Sequence, residues 1–388
     1  MPINNRIADL TDEIVAWRRD IHENPELQYD VHRTAGLVAE KLKSFGCDEV
    51  VPGIGRTGVV AIIRGRDHSS GKVIGMRADM DALPIMEATG VSYASKVPGK
   101  MHACGHDGHT ASLLGAAKYL AETRNFNGTA VLMFQPAEEG GLGAKAMIDD
   151  GMMDRWGVQQ VYGMHNAPGL PVGHFATRPG SLMAAADMIT ITIDGKGGHA
   201  AKPDLAVDPI LIGAHIVTAM QSVVSRNIDP LECGVISLCT FNAGTAGNVI
   251  PAQAVLTGTA RSLTHAVRDT LERRVTEIAE TTAAMLGGKA TVEYFRACSP
   301  TINHERETAI AVEAAMLVAG KERVIANTTP VMGAEDFSYM LESRPGAFVF
   351  FGNGNSSPVH HPAYNFNDEA IPHVVSFWAK LAETTMPR

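Results

Sequence analysis

Apolar residues recur at Ile7, Leu10, Ile14 and Trp17, the spacing of one helix face, and predict an amphipathic first helix. The run His22-Glu23-Asn24-Pro25 interrupts that period. A second helix is expected over residues 34–45, with Gly46 in the place of a C-cap glycine. Short apolar runs at 59–63, 73–76, 130–134 and 161–164 read as buried strands, alternating with helical patterns over 111–122 and up to residue 150. Such alternation points to an α/β sheet flanked by helices.

Near residue 185 the pattern changes. Ile189, Ile191 and Ile193 alternate with Met188, Thr190, Thr192 and Asp194, the period of a strand with one wet face. A helix over 209–224, strands over 235–241 and 254–260, a helix over 265–285 and a strand over 290–295 follow. This βαββαβ order is ferredoxin-like. Residues 185–298 are therefore expected to form an inserted α+β domain, and 1–184 with 299–388 the main α/β domain. Beyond the insertion the α/β alternation resumes, with helices at 305–319 and 337–341, a buried strand at 347–351 and a last helix from 371.

A hydrophobic content of 45% and charged content of 19% over 388 residues describe a globular chain with a substantial core. The net charge of −9, without a basic tract, argues against a nucleic-acid partner. The most apolar stretch, 206–225, contains Asp208, Pro209, His215 and Gln221, so it fits a buried helix and not a membrane span. Residues 1–6 lack the apolar core of a signal peptide. Five scattered cysteines suit reduced thiols better than a disulfide framework, and a cytoplasmic protein is expected.

Chemistry concentrates in Lys100-Met101-His102-Ala103-Cys104-Gly105-His106-Asp107-Gly108-His109. Cys104 and His106 cannot share a helix face and are expected on a loop, where thiolate and imidazole can converge on a borderline transition metal. Taken alone, the stretch fits a buried cysteine beside surface histidines equally well. Elsewhere, strand-like runs lead into Asp79 and Asp81, into Glu138-Glu139 and into His165. Adjacent carboxylates repel unless a cation lies between them. With a metal, one glutamate can ligate while the other accepts a proton from water. The bland reading of Glu138-Glu139 is an exposed acidic turn. His360 or His361 could complete the donor set, and composition does not choose between them. In the second domain Gly195-Lys196-Gly197-Gly198-His199 lacks the order of a phosphate loop and reads as a turn presenting His199. Asn248 and Arg261 could clasp a carboxylate or be ordinary surface residues. Glu335-Asp336 reads as acidic residues at a helix start. A Cys104 nucleophile with a histidine base is the rival chemistry, but it leaves the paired glutamates without a role.

In order along the chain, His22-x-x-Pro25-Glu26-Leu27, the 77–84 run, His102-Ala103-Cys104-Gly105-His106-Asp107, Gln135-Pro136-Ala137-Glu138-Glu139 and Gly163-Met164-His165 form a recognisable set. It continues with Gly197-Gly198-His199-Ala200, Gly247-Asn248-Val249-Ile250-Pro251 and Val359-His360-His361-Pro362. Together they resemble the hippurate hydrolase and N-acyl-L-amino-acid amidohydrolase group, with the plant auxin-conjugate hydrolases, of the aminoacylase/carboxypeptidase G metallopeptidase family.

The resemblance implies a zinc-peptidase-like catalytic domain with a central mixed sheet, and an inserted ferredoxin-like lid and dimerisation domain. It implies two divalent ions (Zn, Mn, Co or Ni) held by Cys104, His106, Glu139, His165 and His360. Glu138 takes the place of the general base and Asp81 that of the supporting aspartate. Asp79 stands where the wider family carries a histidine ligand, so that place passes to His106. His199 matches the histidine that reaches into a neighbouring subunit to polarise the scissile carbonyl, and Asn248 and Arg261 match substrate-carboxylate contacts. The expected activity is hydrolysis of an N-acyl amino acid by a homodimer or dimer of dimers. The alternatives are a dipeptidase, an N-acetyl-diaminopimelate-type deacetylase, and a non-catalytic binder of acyl amino acids.

Overall fold

In a computed structural model, residues 5–388 are described. The expectation about a leader segment falls largely on residues 1–4, outside that range. The chain divides into two units. The first runs to Leu182 and takes in Ile302–Thr329 and Asp336–Arg388, and the second comprises Met183–Thr301 and Pro330–Glu335. The excursion of Pro330–Glu335 into the second unit has no counterpart in the sequence pattern.

The first unit is built on an eight-stranded mixed sheet. Its middle is a parallel block in the order Thr129–Gln135, Val73–Asp79, Gln160–Ala167, Gly346–Gly352. Gly58–Arg64 and Glu49–Ile54 extend it antiparallel on one side. The two-residue strands Phe175–Ala176 and Val324–Ile325 close the other. The block strands are apolar almost throughout, as strands covered on both faces must be. One covering layer packs Ile7, Leu10 and Ile14 of the first helix (Asn5–Glu23) with Leu113, Leu120, Val374 and Trp378 into the main core. Gly46, at φ +77°, takes the left-handed turn after the helix His32–Ser44, as expected of a C-cap glycine.

Three boundaries differ from expectation with consequences for the site. The helix predicted from residue 111 begins at His106, because Gly105 at φ +94° turns the chain directly into it. Only Cys104 of the Cys-x-His pair therefore remains on the loop. His165 lies inside the strand Gln160–Ala167 and not after it. His360 does not follow a strand directly, since Gly346–Gly352 ends eight residues before it and a loop intervenes.

The second unit holds a four-stranded antiparallel sheet ordered Gly234–Ala243, Gln253–Ser262, Ala185–Asp194, Lys289–Cys298. With helices Pro209–Asn227 and His265–Met285 in the crossovers, this is the ferredoxin-like arrangement. Ile189, Ile191, Ile193 and Leu256 meet Ile216, Met220, Leu271 and Val275 in its own core. Asp208 and Thr264 cap the two helices by accepting from main-chain N–H groups of the first turn. The apolar stretch of residues 206–225 is thus mostly a core helix, and among the described residues no helix is long and apolar enough to cross a membrane.

Candidate metal centre

The carboxyl ends of the parallel strands bring the donors together, the edge at which open α/β sheets bind ligands. Past Val73–Asp79 comes Asp81, past Thr129–Gln135 the Glu138-Glu139 turn, and near the end of Gln160–Ala167 stands His165. Cys104 and His106 arrive at the start of the helix His106–Thr123, and His360 on the loop after Gly346–Gly352. The backbone N–H of His360 donates to the Ala103 carbonyl at 2.8 Å, tying that loop to the cysteine.

Donor atoms of Cys104, His106 and His165 lie within 4.8 Å of one another. The same holds for Cys104, Glu139 and His360, and for His106, Glu138 and Glu139. Because the groups share Cys104, His106 and Glu139, they form one contiguous cluster. Cys104 Sγ is 3.3 Å from His165 Nε2, and His360 Nε2 is 3.2 Å from Glu139 Oε1. The His360 side chain is 52% exposed, so the cluster opens to solvent on that flank. His361 instead turns away, its Nδ1 accepting from the Ala363 N–H at 3.0 Å.

The tautomers suit ligation. His106 Nδ1 donates to the Asp81 main-chain oxygen at 2.8 Å, and His165 Nδ1 donates to the Asn166 carbonyl at 2.8 Å. Each Nε2 lone pair is thereby turned inward. His106 Nε2 is buried without a hydrogen-bond partner, 3.7 Å from Asp79 Oδ2 and 3.9 Å from Glu138 Oε2. A buried ring nitrogen without a partner, facing carboxylates, is a place that a cation would satisfy. The titration of the cluster says the same. Burial disfavours a charged His106, yet Asp79, Asp81 and Glu139 outweigh it and push its pKa up to about 10. Burial, with His109 adding to it, pushes His165 down to about 3 and keeps it neutral. Burial and the charges of Glu139, Glu138 and Asp79 push the Cys104 thiol well above its ordinary range. Such a pocket has surplus negative charge, and a divalent ion would relieve it and favour the thiolate. The donor set therefore fits a metal pair.

Asp81 does two jobs. Its Oδ1 accepts from the Glu138 N–H at 3.0 Å and its Oδ2 from the Glu139 N–H at 3.1 Å, while its main-chain oxygen holds His106. Gln28 donates to the Glu139 carbonyl, and the Tyr29 hydroxyl to that of Gly141 at 2.7 Å. These bonds hold the glutamate turn, which begins at Ala137 in a left-handed conformation at φ +53°.

Below the donors lies a buried network that sequence reasoning missed. Asp79 accepts from Arg77 at 2.7 Å and from His109 Nδ1 at 2.6 Å, so its oxygens are already engaged. Asp336, read as a helix-start acid, is buried instead. It accepts from Gln135 at 2.7 Å, from Arg77 at 3.2 Å and from the Ala144 N–H at 2.9 Å. The signal that could have found it is Arg77, a long cation inside a strand otherwise apolar up to Asp79, with more donors than one carboxylate satisfies.

In the second unit His199 is exposed, on a two-stranded ribbon where it pairs with Val249. Its Nδ1 accepts from the Ala201 N–H at 3.0 Å, which leaves Nε2 as the protonated, donating nitrogen. Asn248 sits beside it, its carbonyl accepting from Ala200 at 3.1 Å. Arg261 lies near the far end of Gln253–Ser262, opposite Ala186. The stretch between Gln253 and Arg261 spans roughly 26 Å at about 3.3 Å per residue. Asn248 thus precedes one end of this strand in sequence and Arg261 lies near the other.

A profile of peptidase family M20/M25/M40 matches residues 75–384. Hippurate hydrolase of Campylobacter jejuni subsp. jejuni is 43% identical over 376 residues, covering 97% of each chain. N-acetyl-L-cysteine deacetylase of Bacillus subtilis is 40% identical over 95% of this chain and 87% of its own. Among solved structures, the Bacillus subtilis YxeP protein, described as a dinuclear metal binding peptidase from the M20 family, superposes with a TM-score of 0.85. It is 36% identical and the match covers 98% of this chain and 99% of that one.

Proposed function

Because the chain belongs to peptidase family M20/M25/M40, we propose that it hydrolyses the amide bond of N-acyl amino acids with two divalent ions, releasing a carboxylate and a free amino acid. The observation that carries this reading is the cluster of Cys104, His106, Glu139, His165 and His360 with a further carboxylate, Glu138, at its side. Sulfur, nitrogen and oxygen donors in one place suit Zn, Mn, Co or Ni.

When bound, the ions supply Lewis acidity, which polarises the scissile carbonyl and acidifies the attacking water. Glu138 takes the proton of that water as it attacks the carbonyl carbon, then passes it to the leaving amine. Asp81 fixes the stance of Glu138 through its main-chain N–H. His199, donating from Nε2, stabilises the developing oxyanion, a contribution typically worth about 3 kcal/mol. In this reading His199 comes from a second copy of the chain in a homodimer, and Asn248, on the same ribbon, comes with it. Arg261, near the other end of the strand Gln253–Ser262, is assigned to the substrate carboxylate as well.

The test is a substrate panel on apo protein reloaded with Mn, Co, Ni or Zn, comparing hippurate, N-acetyl amino acids, N-acetyl-diaminopimelate and dipeptides. Turnover of the N-acyl amino acids is expected. Preference for dipeptides would move the assignment to a peptidase, and tight binding of the whole panel without turnover would make the chain a binding protein.

A further inference from the structure

We propose that Asn166 is a positioning residue that fixes the spacing of three donor-bearing segments around the metal pair, an inference that rests on the metal reading above. Asn166 is 2% exposed and directly follows His165 on its strand. Its Oδ1 lies 2.7 Å from His109 Nε2, one turn along the helix that starts at His106. Its Nδ2 donates to the Tyr364 hydroxyl at 2.8 Å. Tyr364 is itself fully buried, and its N–H donates to the His361 carbonyl at 2.8 Å, within the turn that carries His360.

The third contact is steric. A Cβ on Gly105, the residue between Cys104 and His106, would come within 2.3 Å of Asn166 Oδ1 and 2.6 Å of the Tyr364 hydroxyl oxygen. The amide is therefore wedged against the backbone joining two donors, hydrogen-bonded to the loop of a third, and covalently next to a fourth. These segments come from positions far apart in the chain, and Asn166 touches all of them. His109 passes the connection on to Asp79 at 2.6 Å. Groups outside a metal's own ligands that orient those ligands typically change metal affinity about 10- to 100-fold when removed.

Metal titration of apo protein by calorimetry, with the visible bands of the cobalt-loaded form as a second readout, tests this on N166A and on Y364F. N166A is expected to weaken binding of the ions about tenfold or more and to alter the cobalt bands, in apo protein shown by circular dichroism to be folded. Y364F keeps the ring and removes only the hydroxyl, so it reports even if N166A fails to fold, and a smaller weakening of the same kind is expected. The N166A/Y364F double variant should bind no worse than N166A alone. Unchanged affinity and cobalt bands in either folded variant, with wild type binding normally, would overturn the proposal alone. Wild-type protein that takes up no divalent ion would overturn the metal reading and this proposal together.

Discussion

Glu138 and Glu139 are chemically identical neighbours, and what faces each separates their roles. Glu139 contacts His360 and lies in the cluster with Cys104, whereas Glu138 faces His106 Nε2 at 3.9 Å. Burial raises the Glu139 pKa, but His360 and His106 outweigh it and lower it, so it is a ready anion. Glu138→Gln is therefore expected to lose about 10²- to 10⁴-fold in kcat while retaining its metal, checked by kinetics and metal analysis on one preparation. Glu139→Gln should lose metal first. At this scale the sequence was informative where chemistry is dense: Cys104, His106, Glu138 and Glu139 announce themselves by crowding. Asn166, Tyr364 and Asp336 carry no such signature, because each becomes meaningful only through partners scores of residues away, such as Asp336 with Gln135. A residue whose role is to touch three separated segments has no local pattern to betray it.

The joints between elements carry their own energetics. The first helix, Asn5–Glu23, is locked to the helix His106–Thr123 by His22, whose Nδ1 lies 2.7 Å from Asp107. Burial works against a charged His22, but Asp107 and Glu87 outweigh it and push its pKa up to about 9. Folding thus favours the protonated ring. Its contribution is complete below the ordinary imidazole value of about 6.5 and is lost as pH rises toward 9, a change of about 3 kcal/mol at most. Burial likewise opposes the Asp107 carboxylate, yet His22 and Arg18 hold it well below the usual range, so its contribution is lost as pH falls below about 4. Thermal melts between pH 6.5 and 9 should show a declining midpoint in the wild type and a flatter profile in His22→Gln. Arg77→Met is expected to destabilise by about 3–5 kcal/mol, since it leaves Asp79 and Asp336 buried without their guanidinium, and denaturant melts read this directly. Long apolar strands and helices were legible because burial on both faces writes continuous runs. The two-residue strands Phe175–Ala176 and Val324–Ile325 are too short to leave a pattern. The start of the helix at His106 was hidden because its first turn, His106-Asp107-Gly108-His109, is polar although buried.

At the scale of the whole molecule, metal content and subunit pairing can be tested separately. Chelation should abolish activity and lower the melting temperature, and excess metal should restore both, since an ion bound only by the folded state stabilises it by mass action. If the chain pairs as proposed, mixing inactive E138Q and H199A proteins should restore about a quarter of wild-type activity after random reassortment when His199 serves the neighbouring site, and none when it serves its own. The βαββαβ order of the second unit was readable from alternation alone, because a sheet with one wet face repeats every second residue. The return of Pro330–Glu335 to that unit was not, since six residues without periodicity carry no address.

The donors are spread from Cys104 to His360, with the whole second unit inserted between His165 and the strand Gly346–Gly352. A ribosome delivers them in that order. A growing chain that has released Cys104, His106, Glu139 and His165 still lacks both the central strand Gly346–Gly352 and His360. An ion captured early would find an incomplete cage on an unfinished sheet. If these residues hold the metal pair as proposed, loading belongs after synthesis, once the strand Gly346–Gly352 has taken its place between Gln160–Ala167 and Phe175–Ala176.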